Sequence, residues 1–171
     1  MAQALPSHRA VFRRVDLWLA FGLGSGLISK APGTWGTLAG ALLFIPVMVL
    51  SPMLALLVLV VGAVVGSWLC QRAADWAGVH DHSGIVWDEF VGIWLVLLWL
   101  PQQHWLGWLA AFVGFRFFDI VKPWPIRWVD QRVPGGVGIM LDDVLAALMT
   151  LIVIWLGAWG MNIGEINVYF L

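Results

Sequence analysis

Charged residues are scarce in this sequence of 171 residues: only 11% are Asp, Glu, Lys or Arg, whereas a soluble domain has about 25%. Cysteine is almost absent, and the single Cys70 excludes an internal disulfide and a metal site built from several cysteines. Because 61% of the residues are hydrophobic, the polar side chains are too few to cover a soluble globule of this size. These shortages exclude a disordered chain, a disulfide scaffold and a nucleic-acid-binding protein. They predict an integral membrane protein of one domain.

Five apolar stretches, each bounded by charge or by Pro and Gly, are the predicted membrane-spanning segments. They cover residues 35–50, 53–71, 85–100, 104–118 and 144–161. Each is slightly shorter than the roughly 20 residues of a comfortable span, which polar ends that snorkel or a locally thinner bilayer can accommodate. Only a helix satisfies its own backbone inside a bilayer. The predicted fold class is therefore an all-α integral membrane protein with about five short transmembrane helices.

A further apolar run, 17–29, is too short to span and contains three glycines. Basic residues precede it, so a cleaved signal peptide is an alternative, but the following Lys30-Ala31-Pro32 lacks a small-x-small cleavage site. The preferred interpretation is an N-terminal interfacial or re-entrant helix. We therefore treat residues 1–171 as a single membrane-embedded domain, in which 1–34 is an N-terminal interfacial segment that leads into a candidate phosphate loop.

The charges fall on one side of this predicted topology. If all five helices cross and 17–29 does not, all nine Lys and Arg residues share that side, together with nine of the ten acidic residues. Only Glu165 lies opposite. The positive-inside rule places the charged side in the cytoplasm.

The first polar cluster on the charged side is Lys-Ala-Pro-Gly-Thr-Trp-Gly-Thr at 30–37, a loop that enters a helix. Gly33 and Gly36 allow close approach to the backbone, and free N–H groups at a helix start attract an anion. Lys30 adds positive charge, so Lys30 and Thr34 are candidate phosphate-binding residues. The alternative is an ordinary Pro-Gly turn in which a threonine caps the helix.

The second cluster, residues 75–89, holds four carboxylates and two imidazoles. Asp88 and Glu89 fall at the start of an apolar helix, where a buried charge is costly and two adjacent carboxylates repel each other. A cation or a proton must compensate. His80 and His82 could bind a softer metal, but carboxylates dominate, and an oxygen-rich site favours Mg²⁺ or Mn²⁺ over Zn²⁺. The alternative is an interfacial pair that reaches water.

The third cluster spaces Arg116, Asp119 and Lys122 three residues apart, which puts them on one stripe of a helix that Pro123 should end. The planar fork of Arg suits phosphate oxygens, whereas Lys acts as a point charge. A simple ion pair that stabilises a helix end is an equally good interpretation of this cluster taken alone.

The fourth cluster is a predicted glycine-rich loop from Gly135 to Gly138, followed by Asp142 and Asp143 at the start of the last helix. Asp is a favoured N-cap residue and suits the helix dipole, so capping is the alternative interpretation. One Asp is enough for a cap, and a second makes this another carboxylate pair at the same membrane face.

These motifs, at 32–37, 79–89, 116–127 and 135–143, resemble the phosphatidylglycerophosphatase A family in order and in spacing. The resemblance covers about residues 20–160. It implies Mg²⁺-dependent removal of the terminal phosphate of phosphatidylglycerophosphate, which yields phosphatidylglycerol. It also implies the inner membrane of a Gram-negative-type cell, with the lipid and the membrane as partners.

The resemblance carries a set of candidate site residues onto this chain. These are the catalytic candidates His80, Asp81 and Asp88, the metal-binding candidates Asp88, Glu89, Asp142 and Asp143, and the substrate-binding candidates Arg116, Asp119 and Lys122. Lys30 and Thr34 join the substrate-binding candidates from the first polar cluster and not from the resemblance. Asp119 is expected mainly to orient Arg116. In the leading mechanism the four metal-binding carboxylates surround one or two Mg²⁺ ions, and His80 or Asp81 acts as general acid or base. A covalent variant has Asp81 or Asp88 as nucleophile, and the sequence does not separate the two.

Two other functions compete with a phosphatase. A transporter that uses membrane carboxylates would place acids near the middle of several helices, whereas here they cluster near helix ends on one side. A non-catalytic membrane assembly subunit does not explain two acidic pairs beside clustered cations. No nucleic-acid partner is expected.

The charge distribution predicts that all four motifs lie on the cytoplasmic face, because every Lys and Arg is on that side. A cysteine introduced at Gln103 should react with a membrane-impermeant reagent added to intact cells, and one at Gln131 should not. The reverse labelling pattern would refute the topology.

Overall fold

The computed structural model describes residues 8–79, 82–101 and 103–160, and throughout these ranges the chain forms helices and turns without strands. This confirms the all-α class. The helices in these ranges are α1 His8–Phe12, α2 Val15–Ala20, α3 Pro32–Leu50, α4 Pro52–Ala77, α5 Trp87–Leu98, α6 Trp105–Val121, α7 Ile126–Arg132 and α8 Gly135–Gly160.

Local sequence signals explain where the long helices begin and end. Pro32 and Pro52 open α3 and α4, since proline at the first helical position loses no hydrogen bond. The Ser51 hydroxyl accepts a hydrogen bond from the amide of Leu54 and caps α4. Gly78 ends α4 with φ at +69°, a left-handed conformation that glycine adopts without strain. As predicted, α6 ends just before Pro123.

Helix α5 is the centre of the bundle and packs against α3, α4, α6 and α8. Ten of its twelve residues are buried, including Asp88 and Glu89 in its first turn. The outer faces of the surrounding helices are apolar and exposed, for example at Leu42, Val64 and Ile152. Such extended apolar surfaces require a partner or a lipid environment.

Three helices in the described residues, α3, α4 and α8, are long and apolar enough to cross a membrane. The two other predicted spans are shorter than these. Helix α5 has 12 residues and rises about 18 Å at 1.5 Å per residue, against a hydrocarbon core about 30 Å thick. Helix α6 has 17 residues. The prediction of about five spans is therefore not confirmed, because α5 is a short internal helix enclosed by its neighbours.

Small residues let α3 approach α5 closely. The buried stripe consists of Gly33, Gly36, Thr37 and Gly40, at the spacing of one helix face. A Cβ atom on Gly40 would press on the backbone and ring of Phe90. The close approach also lets the indole of Trp94 donate a hydrogen bond to the Gly40 carbonyl over 2.9 Å. These contacts fix the register of α3 against α5.

The N-terminal apolar run differs from the single helix that its composition predicts. Helix α2 ends at Ala20, and a 3-10 turn follows over Gly22–Leu27. The break occurs because Gly22 and Gly24 adopt positive φ angles, which end the regular helix. Leu17 and Phe21 are fully buried in the core, so this segment packs against the bundle.

Helix α8 begins at Gly135, so the predicted glycine-rich loop is wrong. Gly136 lies against the backbone of α4, where a Cβ atom would collide with the Ser67 carbonyl. Its amide donates a hydrogen bond to Gln71 Oε1, which satisfies one of the free N–H groups of the helix start. Asp142 and Asp143 consequently lie two turns inside α8, and the capping interpretation of this pair is also wrong.

The close contact at Gly136 predicts a large effect of one methyl group. Gly136→Ala should destabilise the protein by about 1–3 kcal/mol, because the added Cβ meets backbone atoms that cannot move aside independently. Gly157→Ala, in the same helix with open space around the position, is the matched control. Thermal unfolding of both variants in detergent measures the difference, and equal stability of the two would contradict this account of the α4–α8 contact.

Candidate active site

A cavity of about 260 Å³ lies at the end of the bundle where α3 and α5 begin and α6 ends. Five carboxylates and two cations line it, together with small and apolar residues. The charged residues are Asp88, Glu89, Asp119, Asp142, Asp143, Arg116 and Lys122. The second, third and fourth predicted polar clusters thus meet at one place, and the first contributes Pro32 and Gly33 to the lining.

Arg116 joins three helices at the cavity. Its Nη1 atom lies 3.0 Å from Glu89 Oε1 and 2.5 Å from Asp119 Oδ2. The same atom donates a longer hydrogen bond of 3.4 Å to the hydroxyl of Thr37. Asp119 lies one helical turn after Arg116, as the three-residue spacing predicts. The result is a partly enclosed ion-pair network between α3, α5 and α6.

Lys122 forms a second network on the other side of the cavity. Its Nζ atom lies 2.5 Å from Asp142 Oδ2 and 2.7 Å from Asp130 Oδ1 of α7. Burial lowers the pKa of Lys122, but the charges of Asp142 and Asp130 outweigh burial and raise the pKa above the ordinary value for lysine. Lys122 therefore remains positively charged at neutral and moderately alkaline pH.

Asp88 and Asp143 form the inner pair of carboxylates. Both are almost fully buried, with 7% and 2% of their surface exposed. Four other carboxylates, those of Asp88, Glu89, Asp119 and Asp142, lie near enough to repel the charge of Asp143. Within the part of the chain that the structure describes, Asp143 Oδ2 is buried without a hydrogen-bond partner. A buried carboxylate oxygen of this kind requires a cation or a donor to offset its desolvation.

The donor chemistry of the cavity fits a hard divalent cation, although the described residues form no closed metal cage. Among residues 8–79, 82–101 and 103–160, no three His, Cys, Asp or Glu side chains converge as a ready metal site. Glu89 and Asp142 are instead held by Arg116 and Lys122. Mg²⁺ typically uses one or two carboxylates and completes its shell with water and substrate phosphate, which suits the inner pair.

The other polar residues of the predicted clusters lie either outside the cavity lining or outside the described residues. Lys30 is exposed and Thr34 is half-buried, and neither lines the cavity, so their phosphate-binding role stays a prediction. His82 is buried, and its Nδ1 atom accepts a hydrogen bond from the amide of Gly84. His80 and Asp81 lie outside the described residues, so their catalytic roles stay predictions.

Two residues at the site are absent from the predicted set. Asp130 bonds to Lys122, and Thr37 bonds to Glu89. Asp130 lies eight residues after Lys122, and the end of α6 separates the two, so helical spacing could not predict this ion pair. Thr37 could have been suspected, since it is the last residue of the glycine-threonine motif and falls on the same helix face as Gly33 and Gly36.

The amino-acid sequence matches a protein-family model and several named bacterial proteins. The family model described as phosphatidylglycerophosphatase A matches residues 18–158. Phosphatidylglycerophosphatase A of Haemophilus influenzae is 50% identical over 138 residues, which cover 80% of this chain and 85% of that protein. Phosphatidylglycerophosphatase A of Escherichia coli K12 is 44% identical over 152 residues, covering 85% and 88%.

A third relative has a different name. A protein of Bacteroides thetaiotaomicron named "Putative phosphatidylinositol-3-phosphatase" is 40% identical over 145 residues, covering 81% of this chain and 90% of its own length. No solved structure matches the chain.

The Lys122 network predicts a stability effect that depends on Asp142. Lys122→Met should destabilise the protein by about 3 kcal/mol, because the buried Asp142 charge loses its partner. Adding Asp142→Asn should restore much of that loss. Since a raised pKa keeps Lys122 charged until the pH exceeds the ordinary lysine value, the difference should stay constant across neutral pH.

Thermal unfolding in detergent with a chelator present measures these effects. Lys30→Met, at the exposed lysine, is the matched control and should change stability by less than about 0.5 kcal/mol. If Lys122→Met is as stable as the wild type, the proposed compensation of Asp142 is wrong.

Proposed function

The chain belongs to the phosphatidylglycerophosphatase A family, and we propose that it hydrolyses the terminal phosphate monoester of phosphatidylglycerophosphate, giving phosphatidylglycerol and inorganic phosphate. The observation that carries this proposal is the cavity in which Arg116 and Lys122 lie among five carboxylates. Cations hold phosphate oxygens, and carboxylates hold the divalent cation that phosphate chemistry uses.

In this proposal Arg116 and Lys122 bind the phosphate. Arg116 presents a planar guanidinium whose Nη1 atom is engaged by Glu89 and Asp119. Its Nε atom is buried and finds no hydrogen-bond partner among the described residues, so this donor would be satisfied if a small shift of the side chain let it reach a phosphate oxygen. Asp119 keeps the guanidinium oriented, and Asp142 and Asp130 do the same for the Lys122 ammonium group. Charge held in place before the reaction stabilises the transition state without reorganisation.

Asp88 and Asp143 would hold Mg²⁺, with Glu89 and Asp142, which are paired with Arg116 and Lys122, as flanking carboxylates. A bound Mg²⁺ lowers the pKa of its water and offsets charge on phosphoryl oxygens. The support is the buried excess of negative charge and the Asp143 Oδ2 atom without a hydrogen-bond partner in the described residues. His80 or Asp81 supplies the general acid or base; the covalent alternative uses Asp81 or Asp88 as nucleophile.

We further propose that the protein is a multi-pass protein of the bacterial inner membrane with its cavity at the cytoplasmic face. Three apolar helices of spanning length and the exposed apolar outer faces support membrane insertion. The one-sided Lys and Arg support the cytoplasmic orientation. A cavity at that face meets the headgroup of a lipid whose acyl chains stay in the bilayer.

A phosphoinositide is the second candidate substrate, because one relative is named for phosphatidylinositol 3-phosphate hydrolysis. Both lipids present a phosphate monoester, so the two cations of the cavity suit either one. A transporter is less well supported, since the buried acids here belong to a single cavity at one end of the bundle.

Phosphate release from purified protein tests the proposal directly. Mixed micelles of phosphatidylglycerophosphate and of phosphatidylinositol 3-phosphate are compared, each with Mg²⁺ and with a chelator. The proposal expects Mg²⁺-dependent release, faster from phosphatidylglycerophosphate. A faster reaction with the phosphoinositide would make that lipid the proposed substrate. Undiminished activity with chelator would refute the Mg²⁺ requirement. No phosphate release from either lipid would refute the phosphatase activity itself.

The inner carboxylate pair predicts two severe variants. Asp88→Asn and Asp143→Asn should each lower kcat by more than about 100-fold, because each removes a carboxylate needed in the transition state. Folding should survive, since losing one of several mutually repelling buried charges relieves a cost. Asp75→Asn, at an exposed position outside this cavity, is the control and should retain wild-type kcat. Near-wild-type kcat in either site variant would contradict the assignment.

A further inference from the structure

We propose that Thr37 is a positioning residue of this site, whose hydroxyl fixes the Glu89 carboxylate and the Arg116 guanidinium in their working positions. The proposal rests on the phosphatase function proposed above. It assigns the motif Pro32–Thr37 of α3 a role other than direct phosphate binding. In this role the motif holds Glu89 and Arg116, which form the ion pair, and does not itself contact the phosphate.

The hydroxyl of Thr37 has three polar neighbours. Its Oγ1 atom lies 2.9 Å from the carbonyl of Gly33, 3.2 Å from Glu89 Oε2, and 3.4 Å from Arg116 Nη1. The side chain is fully buried. A hydroxyl has one proton to donate and two lone pairs to accept with, so Thr37 can donate toward a carbonyl or carboxylate while it accepts from Arg116. It is therefore a link common to both partners of the Glu89–Arg116 ion pair.

The glycines of the motif make this link reachable. A Cβ atom on Gly33 would collide with Glu89 Oε1 and press on Arg116 Nη2. A Cβ atom on Gly36 would lie 2.9 Å from Glu89 Oε2. Gly33, Gly36 and Thr37 share one face of α3, so two positions provide space for the Glu89 carboxylate and the third provides a hydrogen bond.

The consequence for the site concerns the orientation of Arg116. Its Nη1 atom is held by Glu89, Asp119 and Thr37, and these three contacts fix the plane of the guanidinium at the cavity. Without the Thr37 hydroxyl, Glu89 loses a hydrogen bond and the guanidinium loses one of its three contacts on that side. Both groups are then free to shift, and a small misplacement of a phosphate-binding group slows the reaction.

Thr150 in α8 provides a matched control. It is also buried, at 1% exposure, and its hydroxyl likewise bonds to the carbonyl four residues earlier, that of Ala146. It does not line the cavity. The two threonines therefore share burial and the local helix bond, and they differ in the contact with the ion-pair network.

The experiment compares kcat and KM of Thr37→Val, Thr37→Ser and Thr150→Val with phosphatidylglycerophosphate. Thr37→Val keeps the shape and removes the hydroxyl, and it should lower kcat/KM by about 10–100-fold, as expected for a residue that orients a functional group. The loss should include kcat, because Arg116 acts on the reacting phosphate. Thr37→Ser should recover most of the activity, and Thr150→Val should behave as wild type. Thr37→Ala replaces Thr37→Val if the valine variant folds poorly.

Wild-type kcat/KM in Thr37→Val would overturn the proposal. So would a Thr37→Ser variant as impaired as Thr37→Val, or a Thr150→Val variant with the same loss, because either result would assign the effect to packing.

A second measurement separates this proposal from the proposed function. Thr37→Val and Glu89→Gln are combined, and the unfolding temperatures of single and double variants are compared. Coupled residues give shifts that do not add, whereas Thr150→Val and Glu89→Gln should give additive shifts. If the wild type releases no phosphate, the phosphatase proposal fails while this cycle still decides the Thr37 contact; additive shifts for Thr37 would overturn it.

Discussion

Burial of four carboxylates at one end of the bundle is the constraint on which the rest of the structure depends. Asp88, Glu89, Asp142 and Asp143 are each at most 9% exposed. A buried charge without a partner is strongly destabilising, so the fold must bring cations to this place. It brings two, Arg116 at the end of α6 and Lys122 in the following turn, and each also contacts a further acid. Carboxylates still outnumber cations in the cavity lining, and this excess is the basis of the proposed divalent cation.

The packing of α5 follows from the same constraint. Two of the carboxylates lie in its first turn, where the positive end of the helix dipole is favourable to them. Enclosure by α3, α4, α6 and α8 keeps that turn away from lipid, and the glycines of α3 allow the approach. The bundle therefore places a short acidic helix inside a ring of longer apolar ones. This combination of an apolar exterior and a polar cavity suits the proposed lipid substrate, whose acyl chains stay in the bilayer while its headgroup enters the cavity.

Sequence reasoning predicted the helices and the members of the site better than it predicted their partners. Apolar runs located the long helices, and the three-residue spacing correctly paired Arg116 with Asp119. Adjacent acids, however, suggested two units, Asp88 with Glu89 and Asp142 with Asp143. Consecutive side chains on a helix point in directions about 100° apart, so the two acids of each pair contact different partners. Glu89 bonds to Arg116 and Asp142 to Lys122, contacts that only the tertiary structure determines. The glycines at 135–138 predicted a loop, but they lie in the first turn of α8. Glycine is favoured both in flexible loops and where helices pack closely, so the sequence alone does not distinguish the two.

We propose that the buried excess of negative charge holds a divalent cation. Thermal unfolding of the wild type and of Asp143→Asn, each with Mg²⁺ and with a chelator, tests it most directly. With chelator the account predicts that Asp143→Asn unfolds at a higher temperature than the wild type, since one repelling charge is gone. Added Mg²⁺ should then raise the unfolding temperature of the wild type and raise that of Asp143→Asn much less. A wild type that Mg²⁺ does not stabilise, together with a variant that is less stable under both conditions, would contradict the claim.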